Sequence, residues 1–324
     1  MITLSGISKQ YTQARREPGL RNACKALFHR EIHVIPALKD ISFSVADGEM
    51  VGYIGPNGAG KSTTIKIMCG ILTPDSGTCL INGRIPWRER KAHVAEIGVV
   101  FGQRSQLWWD IPVGDSFALL GDIYGMRKQE IADSLAELNR ILSLDEFLRT
   151  PARQLSLGQR MRCEIAAALL HRPKTLFLDE PTIGLDAVSK LAVRTFIREI
   201  NRTRGTTVLL TTHDMQDIDA LTPRILLIGR GQLLLDGSMQ EIRNRYTRMQ
   251  SICIEHAEET PCLPDCFTVL SQMPGRTEVT FDSQHISLPQ AIQALSAVMT
   301  ITNFSVRENN VDDMVVSLYE DLHL

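Results

Sequence analysis

The sequence predicts an α/β protein with a mostly parallel sheet, extended by a small C-terminal α+β domain. Three observations carry this expectation. From Ile41 to about Gly237, short apolar strands alternate with helical patterns. A glycine-rich run, Gly55 to Thr63, sits between one of those strands and the helix after it. Past Tyr246 the pattern turns to β-type alternation with a single helical stretch. The expected division is therefore 1–245 and 246–324.

The first block opens with a short strand, Ile2 to Ile7. A basic insertion at about 12–33 follows, carrying Arg15, Arg16, Arg21, Lys25 and Arg30. Within it Leu20, Cys24, Leu27 and Phe28 recur at helical spacing and predict a short amphipathic helix. That helix is either a solvated surface element or a contact with a membrane partner or anionic headgroups. Strands Ile41 to Val45 and Met50 to Ile54 flank a turn at Asp47-Gly48. Thr207 to Leu210 and Ile225 to Ile228 have the short apolar character of buried strands. In the tail, Gln250 to Glu255, Thr268 to Gln272, Glu278 to Phe281 and Thr302 to Arg307 alternate as strands, with a turn at Pro274-Gly275. Leu288 to Met299 reads as a helix with Ala291, Leu295 and Val298 on its apolar face.

Composition narrows the function classes. Hydrophobic residues make up 44% and charged residues 22%, as in ordinary globular proteins, and the formal net charge is -2. That balance does not favour nucleic acid as a partner. No stretch approaches the roughly 18 to 20 apolar residues that span a bilayer. The start, Met-Ile-Thr-Leu-Ser, lacks a basic region followed by an apolar one, so the expected location is the cytoplasm. Of the seven cysteines, only Cys262 and Cys266 lie close together, and their spacing does not fit a zinc site.

Gly55-Pro-Asn-Gly-Ala-Gly-Lys-Ser-Thr63 fits G-x-x-x-x-G-K-[ST] in the strand-to-helix context that gives the pattern meaning. Gly58 and Gly60 let the backbone curl so that several N–H groups face one phosphate, and the helix N-terminus adds partial positive charge. Lys61 is expected to reach the β- and γ-phosphates of a nucleoside triphosphate and Ser62 to hold Mg²⁺, with Gly55, Asn57 and Thr63 completing the loop. Lys174 to Glu180 is an apolar strand ending in two acids. Asp179 is placed to bind Mg²⁺, and Glu180 to polarise the attacking water. Leu155-Ser-Leu-Gly-Gln159 opens a helix whose apolar side holds Met161, Ile165, Ala168 and Leu169. Ser156 and Gln159 fit a capping box there.

That pentapeptide resembles the signature motif of ABC ATPases, and it precedes the acidic strand as it does in that family. The resemblance implies that Ser156 and Gly158, with Gln159 beside them, close onto the γ-phosphate held by another subunit. The usual third residue is Gly, and here it is Leu157: either the position never needs φ > 0, or the loop is remodelled. Ile183-Gly-Leu-Asp186 resembles the D-loop, which crosses between subunits. His213, in Thr211-Thr-His213, matches the switch histidine. Gln103 matches the Q-loop glutamine, implied to contact Mg²⁺. Counting forward from Ile97-Gly98 would select Gly102 instead, and Gln106 is a further candidate. Tyr11 matches the aromatic that stacks on adenine; the alternative is a plain surface tyrosine.

The resemblance covers about residues 1–240 and implies a P-loop ABC cassette with a helical signature subdomain and ATP and Mg²⁺ as ligands. It implies an ATP-sandwiched homodimer, or a heterodimer with a paralogue. The segment Phe101 to Asp110, the basic insertion and the ending Asn310 to Leu318 are similar to ATPases paired with ABC-2-type permeases, in the group linked to viologen and drug export. Export of a small amphipathic compound through separate permease subunits, from the cytoplasmic face of the membrane, is the implied role. The alternatives are an importer ATPase, or a non-transport ABC ATPase acting on nucleic acid or ribosomes. Trp108-Trp109 either forms a socket for a coupling helix of the permease, or packs one indole in the core under the other.

Overall fold

A computed structural model describes residues 1–14, 32–102, 104–212, 214–238, 241, 249–258, 261, 263–264, 266–283 and 285–307. Strands β1 (Ile2–Ala14) and β2 (Ile32–Val45) pair antiparallel, from Ile2 opposite Val45 to Ala14 opposite Ile32. The strand expected to stop at Ile7 thus runs on to Ala14. Gln10 to Gln13 are exposed, so no apolar rhythm marks them, and backbone pairing alone carries the ladder outward. The ends of the basic insertion are accordingly strand. The helix expected around Leu20 to Phe28 lies outside the described residues.

Next come β3 (Met50–Ile54), α1 (Lys61–Met68), β4 (Ser76–Ile81), α2 (Arg90–Val94) and β5 (Ile97–Phe101). A helical stretch follows: α3 (Val113–Ile123), α4 (Lys128–Leu142), a 3₁₀ turn at Ala152–Gln154 and α5 (Leu157–Leu169). The chain then returns to alternation with β6 (Thr175–Asp179), α6 (Ala187–Arg204), β7 (Thr207–Thr211), α7 (Met215–Leu221), β8 (Arg224–Gly229) and β9 (Gln232–Ser238).

Six strands form one sheet in the order β5-β6-β7-β3-β8-β9, with every pair from β5 to β8 parallel. A second, antiparallel sheet has the order β2-β1-β4. The central strands are buried on both faces, and successive side chains feed two different cores. Leu176, Leu178, Val208 and Leu210 pack with the helical stretch and α6. Phe177 and Leu209, between them in sequence, pack with α1 and the antiparallel sheet. Helix termini are closed by the residues expected: Ser156 Oγ accepts from the Gln159 N–H (3.2 Å), while Gln159 Oε1 accepts from the Ser156 N–H (2.9 Å).

The structure divides into two compact units at Asp236/Gly237, where the sequence suggested 245/246. In the second unit, β10 (Met249–His256), β11 (Thr268–Met273), β12 (Arg276–Asp282) and β13 (Ile301–Arg307) form an antiparallel sheet in the order β11-β12-β10-β13. Helix α8 (Leu288–Ser296) supplies Ala291 and Leu295 to its core, with Ile252, Ile254, Val279 and Phe281 opposite. Val298, expected on that apolar face, is 39% exposed. The helix ends before it, and Met299 turns in instead at 5%. Among the described residues, no helix is long and apolar enough to cross a membrane.

Leu295→Ala removes a fully buried side chain from the small core of the second unit. The expected cost is about 2–5 kcal/mol, read as a lowered urea midpoint of the transition reported by circular dichroism.

Candidate functional site

All five residues of β3 are buried, and the chain leaves the sheet at Gly55. A Cβ on Gly55 would lie 2.2 Å from the Ile228 carbonyl oxygen, so no other residue fits. At the other end of the loop Gly60 has φ 111°, and a Cβ there would meet the Ala37 carbonyl oxygen at 2.7 Å. These close approaches shape the turn through Asn57 and Gly58 into the first turn of α1, whose N–H groups have no partners within the helix. The helix is tied to the strand behind it by a buried hydrogen bond of 3.0 Å between Tyr53 Oη and Thr64 Oγ1.

Lys61 is 8% exposed, and its Nζ donates to the carbonyls of Gly55 (2.5 Å) and Pro56 (3.2 Å). Burial pushes its pKa down; the nearby Glu180 and then Asp179 carboxylates pull the other way. Ser62 Oγ points at Asp179 Oδ2 across 3.4 Å. The two acids stand where β6 ends. Asp179 Oδ1 accepts from Thr211 Oγ1 (2.6 Å), and the Glu180 N–H donates to the Thr211 carbonyl (3.0 Å) and to Thr211 Oγ1 (3.2 Å). Glu180 has φ 57°, a left-handed conformation that non-glycine residues adopt at a cost. Thr211 holds it there from one side. On the other, the Gly102 N–H donates to the Asp179 carbonyl (2.8 Å).

Lys61, Ser62, Asp179 and Glu180 converge on one cavity of about 700 Å³, together with Asn57, Gly58, Gly60 and Thr63. Ala37, Ile71 and Phe101 give it an apolar side, and Lys66 and Arg104 add cations. The charge suits a polyphosphate, and the apolar side suits a base. Sequence reasoning missed Thr211 and Arg104. Thr211 had a signal: it is a hydroxyl closing a buried apolar strand, in register with the first acid, Asp179.

Ser156, Gly158, Gln159 and Asp186 do not line this cavity. They form a second cluster, where the N-termini of α5 and α6 meet. Asp186 caps α6, its Oδ1 accepting from the Ser189 N–H at 2.8 Å. A Cβ on Gly158 would lie 2.3 Å from Ser189 Oγ, so the two helix starts touch. Leu157 is the first helical residue and has no positive φ, which answers the question its size raised. Its Cδ2 rests 3.0 Å from where a Cβ of Gly184 would be. Ser156 and Asp186 are exposed, as are Val188 (79%) and Leu191 (63%) on α6.

The other expected residues fall elsewhere. Tyr11 does not line the cavity; it is half exposed, opposite Ile35 on the outer part of the β1–β2 ladder. Gln103 and His213 lie outside the described residues. Position 102 is barred to any side chain, since a Cβ there would be 2.4 Å from the Glu180 carbonyl oxygen. Gln106 Nε2 donates to the carbonyls of Glu164 (3.0 Å) and Val99 (3.3 Å), which spends its amide on holding the loop. Neither indole of Trp108-Trp109 is core: they are 40% and 49% exposed, and the Arg160 guanidinium lies 5.3 Å from the Trp109 ring centroid.

The family described as ABC transporter matches residues 38–183. The energy-coupling factor transporter ATP-binding protein EcfA2 of Caldanaerobacter subterraneus subsp. tengcongensis is 34% identical over 221 residues, covering 67% of this chain and 77% of that protein. The linearmycin resistance ATP-binding protein LnrL of Bacillus subtilis is 34% identical over 208 residues, 64% of this chain and 66% of that one. The ATP-binding cassette MJ0796, solved as a dimer in a post-hydrolysis state bound to ADP and Pi, superposes with a TM-score of 0.61 at 26% identity, covering 74% of this chain and 99% of that chain.

Thr211→Val keeps the shape of the strand end and removes the hydroxyl shared by Asp179 and Glu180. ATP turnover is expected to fall roughly 10–100-fold with nucleotide affinity held, measured by phosphate release alongside equilibrium binding of a fluorescent ATP analogue.

Proposed function

The chain belongs to the family of ABC transporter ATP-binding proteins, and from that premise we propose that it powers export of a small amphipathic compound through separate ABC-2-type permease subunits. It binds and hydrolyses ATP, as the family does. The observation that carries the proposal is the split of the site: Lys61, Ser62, Asp179 and Glu180 share one cavity, while Ser156 and Asp186 stand outside it on an exposed edge, with Gly158 buried between the two helix starts behind them.

The two halves are complementary. A second subunit, identical or paralogous, presents Ser156 and Gly158 to the γ-phosphate held over Lys61, and the N-terminus of α5 favours that anion. Asp186 and the exposed Val188 and Leu191 lie on the same edge and join the contact. Glu180 polarises the attacking water. Its backbone, fixed through Thr211 and Gly102, aims the carboxylate into the cavity. Ser62 Oγ and Asp179 Oδ2 are oxygen donors of the kind Mg²⁺ takes, and 3.4 Å apart they can share one cation. When bound, Mg²⁺ supplies charge neutralisation to the β- and γ-phosphates. By resemblance Gln103 contacts that cation and His213 the γ-phosphate. Loss of the γ-phosphate removes the shared contact and releases the dimer. By resemblance Tyr11 stacks on adenine, while Ala37, Ile71 and Phe101 are the apolar surface that lines the cavity itself.

The chain sits at the cytoplasmic face of the membrane, held there by its permeases. The exposed tryptophan pair is the surface they engage, since exposed indoles bury well at interfaces. The resistance role in the name of the LnrL relative supports export. An import motor would have the same parts, and the similarity to the energy-coupling factor subunit keeps that second reading standing.

Glu180→Gln is expected to keep ATP affinity, lose roughly 10²–10⁴-fold in turnover and accumulate as an ATP-bound dimer on size exclusion; normal turnover would refute the role. Tagged Glu180→Gln protein, drawn with ATP from detergent-solubilised native membranes, should bring down multi-span permeases. Reconstituted with them in inside-out vesicles, the wild type should drive ATP-dependent uptake of substrate for an exporter, and loss of preloaded substrate for an importer.

A further inference from the structure

Helix α6 carries Lys190 and Arg194 one turn apart, and both face carboxylates at the start of α7. Lys190 Nζ donates to Asp214 Oδ2 (2.5 Å), and Arg194 Nε donates to Asp217 Oδ1 (2.5 Å). Asp217 is fully buried. Its other oxygen, Oδ2, accepts from Thr182 Oγ1 and from Thr212 Oγ1 (3.2 Å). Thr212 Oγ1 in turn accepts from the Asp214 N–H at 3.0 Å.

This hub ties three segments to one carboxylate. Thr182 follows Glu180 by two residues. Thr212 and Asp214 flank His213 in the sequence. Arg194 belongs to the helix capped by Asp186. A buried ion pair is a poor source of stability, because well-packed apolar residues of similar volume do as well. What an ion pair adds is fixed geometry: the guanidinium and the two hydroxyls hold the carboxylate at set angles.

We propose that Asp217 and Arg194 are positioning residues for ATP hydrolysis, registering the Asp186-capped helix against the segments that carry Glu180 and His213. The inference rests on the reading of those two residues as the hydrolytic pair. Neither Asp217 nor Arg194 lines the cavity, so nucleotide binding through Lys61 does not depend on them. A movement of α6 at the subunit edge reaches the acids and the switch segment through this hub, which makes turnover conditional on the state of that edge.

The test separates kcat from nucleotide affinity in the full chain with ATP and Mg²⁺. Asp217→Asn keeps shape and loses charge; Arg194→Lys keeps charge and loses the fork. Both should lower kcat by roughly 10–100-fold with the KM for ATP and the affinity for a fluorescent ATP analogue within about two-fold of wild type, and Asp217→Glu should recover part of the loss. Because a lone buried charge can prevent folding, the double variant Arg194→Met/Asp217→Leu, which removes both charges, and Thr182→Val, which trims one hydroxyl, are made as well. Wild-type kcat in either, once folded, overturns the proposal. So does a parallel fall in kcat and affinity, which marks a structural role only. Glu180→Gln is run beside them: full activity there defeats the site reading itself, whereas an inactive Glu180→Gln with normal hub variants defeats the hub alone.

Discussion

Strands β6 and β7 pair in parallel and are buried on both faces, and that ladder decides where charge can appear. A polar side chain in the middle of such a strand would lose water without gaining a partner. Leu176 to Leu178 and Val208 to Leu210 are accordingly apolar, and polar side chains stand at the strand ends: Thr175 and Thr207 at the amino ends, Asp179 and Thr211 at the carboxyl ends. There Asp179 stands opposite Thr211, in register. Because β3 pairs with the far side of β7, the loop from Gly55 to Gly60 emerges from the same edge. A one-residue slip of β6 would turn Asp179 to the other face of the sheet and break the bond to Thr211. Hydrogen-bond register along the backbone therefore sets the distances among side chains that are far apart in sequence.

Helix α6 does for the exposed edge what the ladder does for the cavity. Its cap is Asp186, its first turn touches Gly158 through Ser189, and its next two turns hold the start of α7 through Lys190 and Arg194. Farther along, Val193, Phe196, Ile197 and Ile200 bury it in the larger core. The contacts to Asp214 and Asp217 thus lie between the exposed N-terminus of the helix and its buried far end.

Much of this was legible in the sequence. The apolar strands, the turn at Pro274-Gly275 and the capping box at Ser156 follow from local rules, and the structure agrees with each. Lys61, Ser62, Asp179 and Glu180 could be named from their motifs, since a phosphate loop and an acidic strand end have few other uses. What escaped was set by non-local pairing. The outer half of β1 has no apolar rhythm, because both its faces meet water, so nothing in Gln10 to Gln13 announces a strand. Of the two arrangements open to Trp108-Trp109 in the sequence, packing one indole in the core is the one the structure excludes, since both are exposed beside a loop held by Gln106 and Glu164. Thr211 and the Asp217 hub depend on which strands and helices become neighbours, and spacing along the chain does not report that. Leu157 looked like a departure from pattern; its neighbour across space, Gly184, shows why a large residue fits.

The β1–β2 ladder has a consequence for how this chain can vary. Ile2, Leu4 and Ile7 lie in the core with Leu38, Ile41 and Phe43, and these contacts, with the Gly6 N–H donating to Ser42 Oγ and the Asp40 N–H to Ser8 Oγ, fix the register. Beyond them the two strands run on to Ala14 and Ile32, which bring the ends of the intervening segment side by side whatever its content. Closing a loop from ends already held together is cheap, and doubling its length adds only about 0.6 kcal/mol. The pairing of Ala14 with Ile32 therefore makes the span between them a place where added residues, such as a reporter, cost the sheet and the cavity little.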